Sequence, residues 1–97
     1  MSNRITDSML EARVKRLNEL TGSPATPYSQ IDGKHVANVG NFHLSYAYGG
    51  VCLHRMGNAS GGVSTPIISY HTTKRELFDR INSYMDGIRF AQEELCA

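Results

Sequence analysis

Apolar residues recur at intervals of three and four from Met9 and Leu10 through Val14 and Leu17 to Leu20, with Glu11, Arg13, Lys15, Arg16, Asn18 and Glu19 filling the other side. This is the period of an amphipathic helix with a polar outer face, predicted over residues 6–21. Thr6 as N-cap places Ile5 and Leu10 in hydrophobic-staple positions, and Ser8 with Glu11 offers a second capping box. Gly22 stops the helix, because glycine takes the left-handed conformation at little cost and Ser23-Pro24 cannot continue it. A second stripe, Leu77, Ile81, Tyr84, Met85 and Ile88, follows the T-x-x-E capping box of Thr73 and Glu76 and predicts a helix over 73–90. Gly87 either ends it or merely weakens it, in which case Phe90, Ala91 and Leu95 add a further turn or two.

Between the helices the period falls to two. Residues 28–31 and 35–39 flank Asp32-Gly33, a strong two-residue turn signal, and predict a first strand pair. Its alternation is imperfect, since Val36 and Val39 are three apart, and Gly40-Asn41 reads as a bulge or a second turn. The stretch NFHLSYAYGGVCLHRMGNASGG at 41–62 is the central hairpin. A Gly49-Gly50 turn pairs Tyr48 with Val51, Tyr46 with Leu53 and Leu44 with Arg55. One face then carries Phe42, Leu44, Tyr46, Tyr48, Val51 and Leu53, and the other His43, Ser45, Ala47, Cys52, His54 and Met56. After the polar loop GNASGG, the segment VSTPIISY at 63–70 predicts an edge strand, or one that begins only at Ile67 after Pro66. The fold class is α+β: a two-layer domain over residues 1–97, with an N-terminal helix, a three- or four-stranded antiparallel sheet (28–70) built on the central hairpin, and a C-terminal helix. Both helices lie on one face of the sheet.

Composition narrows the function classes. Ten Lys and Arg against nine Asp and Glu leave a charge of +1, so no global field draws the chain onto nucleic acid or anionic lipid. Cys52 and Cys96 have no neighbours at metal or redox spacing and are expected as free thiols in a reducing cytoplasm. The start, MSNRITDSML, lacks the apolar run of a signal peptide, and no stretch is long enough to cross a bilayer. The expected location is cytoplasmic.

His43, Ser45 and His54 share one hairpin face, with Ser45 expected opposite His54 and His43 diagonally beside it. A nucleophile and a base can be read into that cluster, but neither strand holds an Asp or Glu to orient an imidazole, and no third zinc ligand is in place. No catalytic residue, metal or cofactor is therefore expected, and the face is either solvated surface or a binding surface. Tyr46 and Tyr48 with Phe42 could stack on bases, yet their shared face with Leu44 and Leu53 makes them core, with Tyr48 at the tip partly exposed. The Gly-rich runs at 49–51 and 58–63 could cradle a phosphate, although turn chemistry explains both. Thr72, Thr73, Lys74 and Arg75 place two hydroxyls and two cations at a helix N-terminus, where an anion is favoured. The candidate binding residues are His43, Tyr48, His54, Arg55, Thr72, Lys74 and Arg75.

The order of elements, LNEL at 17–20, PY at 27–28 and a last helix opened by Lys74-Arg75 resemble double-stranded RNA-binding domains, whose second helix meets phosphates with a basic N-terminus. The chain departs from them in lacking a small Ala-Ala pair and in the long, Pro-containing spacer before Lys74. TGSPATPY at 21–28, ANVGNFHLSYAYGGVCLHRMGNASGGV at 37–63, TKRELFDRI at 73–81 and MDGI at 85–88 are similar to a group of small proteins encoded by tailed bacteriophages and prophages. That resemblance implies an accessory protein of the infected bacterial cytoplasm, of the kind that inhibits host enzymes or defence systems by binding. The expected partner is a host or defence protein. A sponge for a small cyclic nucleotide, with Lys74 and Arg75 on phosphates and Tyr48 or His54 on a base, is the alternative, and a nucleic-acid-binding module the third. A homodimer through an edge strand or the second sheet face is a further expectation.

Overall fold

A computed structural model describes residues 4–95. The elements are α1 (Asp7–Thr21), β1 (Tyr28–Ile31), β2 (Lys34–Ala37), β3 (Phe42–Ala47), β4 (Gly50–Met56), β5 (Val63–Ser64) and α2 (Lys74–Leu95). The strands divide into two antiparallel sheets, a β1-β2 pair and a three-stranded sheet in the order β3-β4-β5. The α+β architecture is as the periodicity predicts.

The ends of α1 are set locally. Thr6 accepts from the Met9 N–H at 3.2 Å, and Ile5 and Leu10, the two staple residues, are both buried in the core. Gly22 sits at φ 67°, its N–H bonds to the Glu19 carbonyl, and the Ser23 N–H bonds to the Asn18 carbonyl at 2.8 Å. This is a Schellman ending, which satisfies carbonyls the helix would otherwise leave open. For α2, Thr73 caps by accepting from the Glu76 N–H at 3.1 Å. The helix passes through Gly87 to Leu95.

Leu10, Val14 and Leu17 of α1 and Leu77, Ile81 and Met85 of α2 close over Phe42, Val51 and Leu53 to form one core. The helices run side by side in the same direction, tied by Lys74 Nζ to Asp7 at 3.1 Å near their starts and by Gln92 Nε2 to the Leu20 carbonyl at 3.1 Å near their ends. Burial of each large side chain here contributes about 1.5–3 kcal/mol. Asn18 is buried as well, although the stripe assigns it to the polar side. Its amide donates to the Phe42 carbonyl at 3.0 Å and accepts from the Phe42 N–H at 2.8 Å. Phe42 is thus bonded along its outer edge by a side chain in place of a neighbouring strand.

Three expectations are corrected. The central turn is Tyr48-Gly49, with both residues at positive φ (55° and 72°), and the register pairs Tyr46 with Val51, Ser45 with Cys52 and His43 with His54. The shift is by two residues, so the two faces keep their membership, because side chains alternate with period two. Gly50 is not a turn residue. A Cβ there would stand 2.9 Å from the Thr72 carbonyl oxygen and 3.1 Å from the His71 carbonyl carbon, so glycine is required by the close passage of residues 71–72. The strand expected over 63–70 is only Val63–Ser64; the chain then leaves the sheet and returns at Thr72, which exchanges both backbone hydrogen bonds with Val51. The Asp32-Gly33 turn stands as predicted, joining β1 to β2 with residues at φ 51° and 78°. Cys96 and the first three residues lie outside the described residues.

Candidate binding face

Alternation along β3 and β4 sends His43, Ser45, Ala47, Cys52, His54 and Met56 to the face opposite the helices. Two of these are covered: Cys52 and Met56 are buried, and the Cys52 thiol donates to the Ile68 carbonyl at 3.4 Å as the chain at Ile68 and His71 crosses this face. Burial pushes the thiol pKa up, which keeps it protonated and poorly nucleophilic. The same crossing brings in His71, which the sequence reading passed over because a lone histidine between a strand and a helix cap has no periodic context.

The result is a row of rings. His43 and His54, directly opposite across the hairpin, have centroids 5.6 Å apart at 79°. His54 and His71 follow at 6.3 Å, and His71 meets Tyr48 at 5.7 Å and 75°. Ser45 Oγ lies 3.3 Å from His71 Nε2. Asn41 fixes the other end: its Nδ2 donates to the Pro24 carbonyl at 2.8 Å, so its Oδ1 faces His43 Nδ1 at 3.1 Å. An amide oxygen only accepts, so Nδ1 of His43 carries the proton and Nε2 presents its lone pair. Burial, then the neighbouring His54, lowers the His43 pKa from its ordinary 6.5; burial, then His71, lowers that of His54. His43 and His54 are therefore held neutral at physiological pH.

Tyr48 is 97% exposed. Being in the turn and not on the core face, it leaves its ring wholly on the surface, beyond the partial exposure expected. Tyr46, expected in the core, is half exposed at the edge of the sheet, beside Asp7 and Glu11.

The remaining candidates stand elsewhere. Arg55 projects from the helix-facing side of β4, its guanidinium 4.7 Å from the Phe42 ring centroid and its Nε donating to the Gly40 carbonyl at 3.2 Å. Thr72 donates its hydroxyl to Glu76; that bond, then Arg80, lowers the Glu76 pKa. Lys74 pairs with Asp7, and Arg75 lies 3.9 Å from Asp79. The cations at the start of α2 thus already face carboxylates. In the loop after β4, Asn58 Oδ1 takes the N–H groups of Ser60 and Gly62, each at 3.0 Å, so the amides a phosphate cradle would use are engaged within the loop.

Chemically, the Ser45 and His71 contact lacks the third group that would orient the imidazole, since none of His43, His54 and His71 is hydrogen-bonded to a carboxylate among the described residues. Nor is any group of three or more His, Cys, Asp or Glu side chains among the described residues placed to hold a metal ion. No described helix is long and apolar enough to cross a membrane. No family model, curated protein or solved structure matches the chain.

Proposed function

We propose that this chain is a small accessory protein of a tailed bacteriophage or prophage that acts by non-enzymatic binding, inhibiting a host or antiphage defence protein through the ring-bearing face of its three-stranded sheet. The observation that carries the binding reading is Tyr48, a bare ring on a backbone locked in a tight turn and set edge-on to His71. An exposed tyrosine has only two side-chain torsions to fix on docking, and tyrosine is enriched among interface anchors. Further along the row His43 and His54, whose pKa values burial lowers, extend the platform without a charge to desolvate. The phage assignment rests on the sequence resemblance, and the host cytoplasm follows from it. The alternatives, a sponge for a cyclic nucleotide and a nucleic-acid module, draw no support from Lys74 and Arg75, whose charges face Asp7 and Asp79.

The test is capture of partners from a bacterial host lysate by the tagged full chain, with mass spectrometry of what is retained. Wild type is expected to enrich one protein near equimolar ratio. Tyr48→Asn is expected to lose it while keeping its circular dichroism and melting temperature, because Asn-Gly suits a two-residue turn with both residues at positive φ. Undiminished capture by Tyr48→Asn would remove this face from the function.

A further inference from the structure

The order β3-β4-β5 leaves β3 at the edge of its sheet. Phe42 turns its N–H and C=O outward, where Asn18 takes both. Strand alternation turns the same groups of Leu44 and Tyr46 outward as well, and among the described residues no backbone or side-chain group bonds to them there. The open edge is therefore a short window, closed at one end by Asn18 and at the other by the Tyr48-Gly49 turn. An unpaired edge of this kind is a template for another strand.

We propose that the chain forms a twofold dimer in which the Leu44 to Tyr46 edge of β3 pairs antiparallel with the same edge of a second copy, centred on Ser45. The window is self-complementary. With the axis at Ser45, Leu44 stands opposite Tyr46 of the second copy, and both residues present outward N–H and C=O groups, so each pair exchanges two hydrogen bonds as in a regular ladder. The half-exposed Tyr46 ring gains a cross-strand neighbour in Leu44 of the second copy. Asn18 and the turn forbid a longer ladder and so fix the register.

Charge also favours a second copy as the occupant. A groove beside this edge is lined by Glu11, Val14, Lys15, Asn18, Phe42 and His43. Neither Glu11 nor Lys15 has an ion-pair partner among the described residues. Because α1 flanks β3, the twofold runs the two α1 helices antiparallel, and Glu11 of each faces Lys15 of the other. The product is one continuous six-stranded sheet with the rings of His43, His54, His71 and Tyr48 displayed twice on the same side. The contact is small, which predicts a weak, concentration-dependent dimer.

Sedimentation equilibrium of the full chain over about 1–500 µM should show the mass rising from 10.7 kDa toward twice that value. Amide exchange at the same concentrations should show the Leu44 and Tyr46 N–H groups becoming protected as the dimer fills. Glu11→Lys is expected to weaken association about fivefold or more, and Glu11→Lys with Lys15→Glu to restore it. A monomer throughout the range overturns the proposal. So does a dimer in which the Leu44 and Tyr46 amides exchange as fast as in the monomer, and so does a double variant that stays as weak as the single one.

Discussion

Asn18 joins the helix layer to the sheet by two hydrogen bonds to a single residue, and it does so from a buried position. Replacing it with a hydrophobe of similar size keeps the packing but leaves the Phe42 N–H and C=O without partners. Asn18→Leu should therefore destabilise the fold by about 2–4 kcal/mol, read as a lower urea midpoint at unchanged m-value. Asn18→Asp should also destabilise, since one oxygen would then face the Phe42 carbonyl. This residue shows where periodicity stops informing. Position 18 follows Val14 by four and so shares the buried line of α1, but an asparagine there reads as polar surface until its partner 24 residues away is known. His71 escaped for the same reason: its companions Ser45, His54 and Tyr48 are neighbours only through the return of the chain to β4.

At the scale of elements, what depends on adjacent residues was legible and what depends on distant backbone was not. Thr6, Gly22 and Thr73 act on their own helices, and all three stand where the caps place them. The Gly-Gly pair carries two different demands, a positive φ at Gly49 and steric room at Gly50, and only the first is a property of a turn. Tyr48 at φ 55° completes that turn against the ordinary preference of an aromatic residue, so the register slipped by two. Helical glycines give a paired prediction of opposite sign. Gly22→Ala places a Cβ in the left-handed region and should cost about 1 kcal/mol, although nothing lies within 4 Å to clash with it. Gly87→Ala, within α2 and also with nothing within 4 Å, should add about 0.5–1 kcal/mol. Thermal melts of the two single variants check both, and equal shifts would contradict the account of how α1 ends.

For the whole molecule, the class and the layering followed from the order of elements, whereas the division into two sheets did not. No residue in β1 or β2 announces whether that pair joins the central hairpin, and its weak alternation was the one sign that it lacks a buried face. Global stability should carry the signature of the histidine row. His43 and His54 titrate below 6.5 in the fold, so as pH falls beneath that value the unfolded chain binds protons the native state refuses. Stability is then fully present above about pH 6.5 and declines on acidification through the depressed folded values. Urea midpoints between about pH 8 and pH 5 should show a plateau followed by this decline. His54→Gln, which removes one titrating ring and its repulsion on His43, should make the decline shallower. A midpoint that rises on acidification would mean that the imidazoles gain, in the fold, a partner for their charged form.

The β1-β2 pair has one buried residue, Ala37, and is held at its root by Asn38, whose amide donates to the Thr26 carbonyl at 2.9 Å and to Ser29 Oγ at 2.9 Å. An arm tied only at its base can change in length and sequence beyond that tie with little consequence for the core. Natural variation, inserted peptides and grafted tags should all be absorbed at Asp32-Gly33. The molecule thus separates a surface that selection can rewrite from a core that it must conserve.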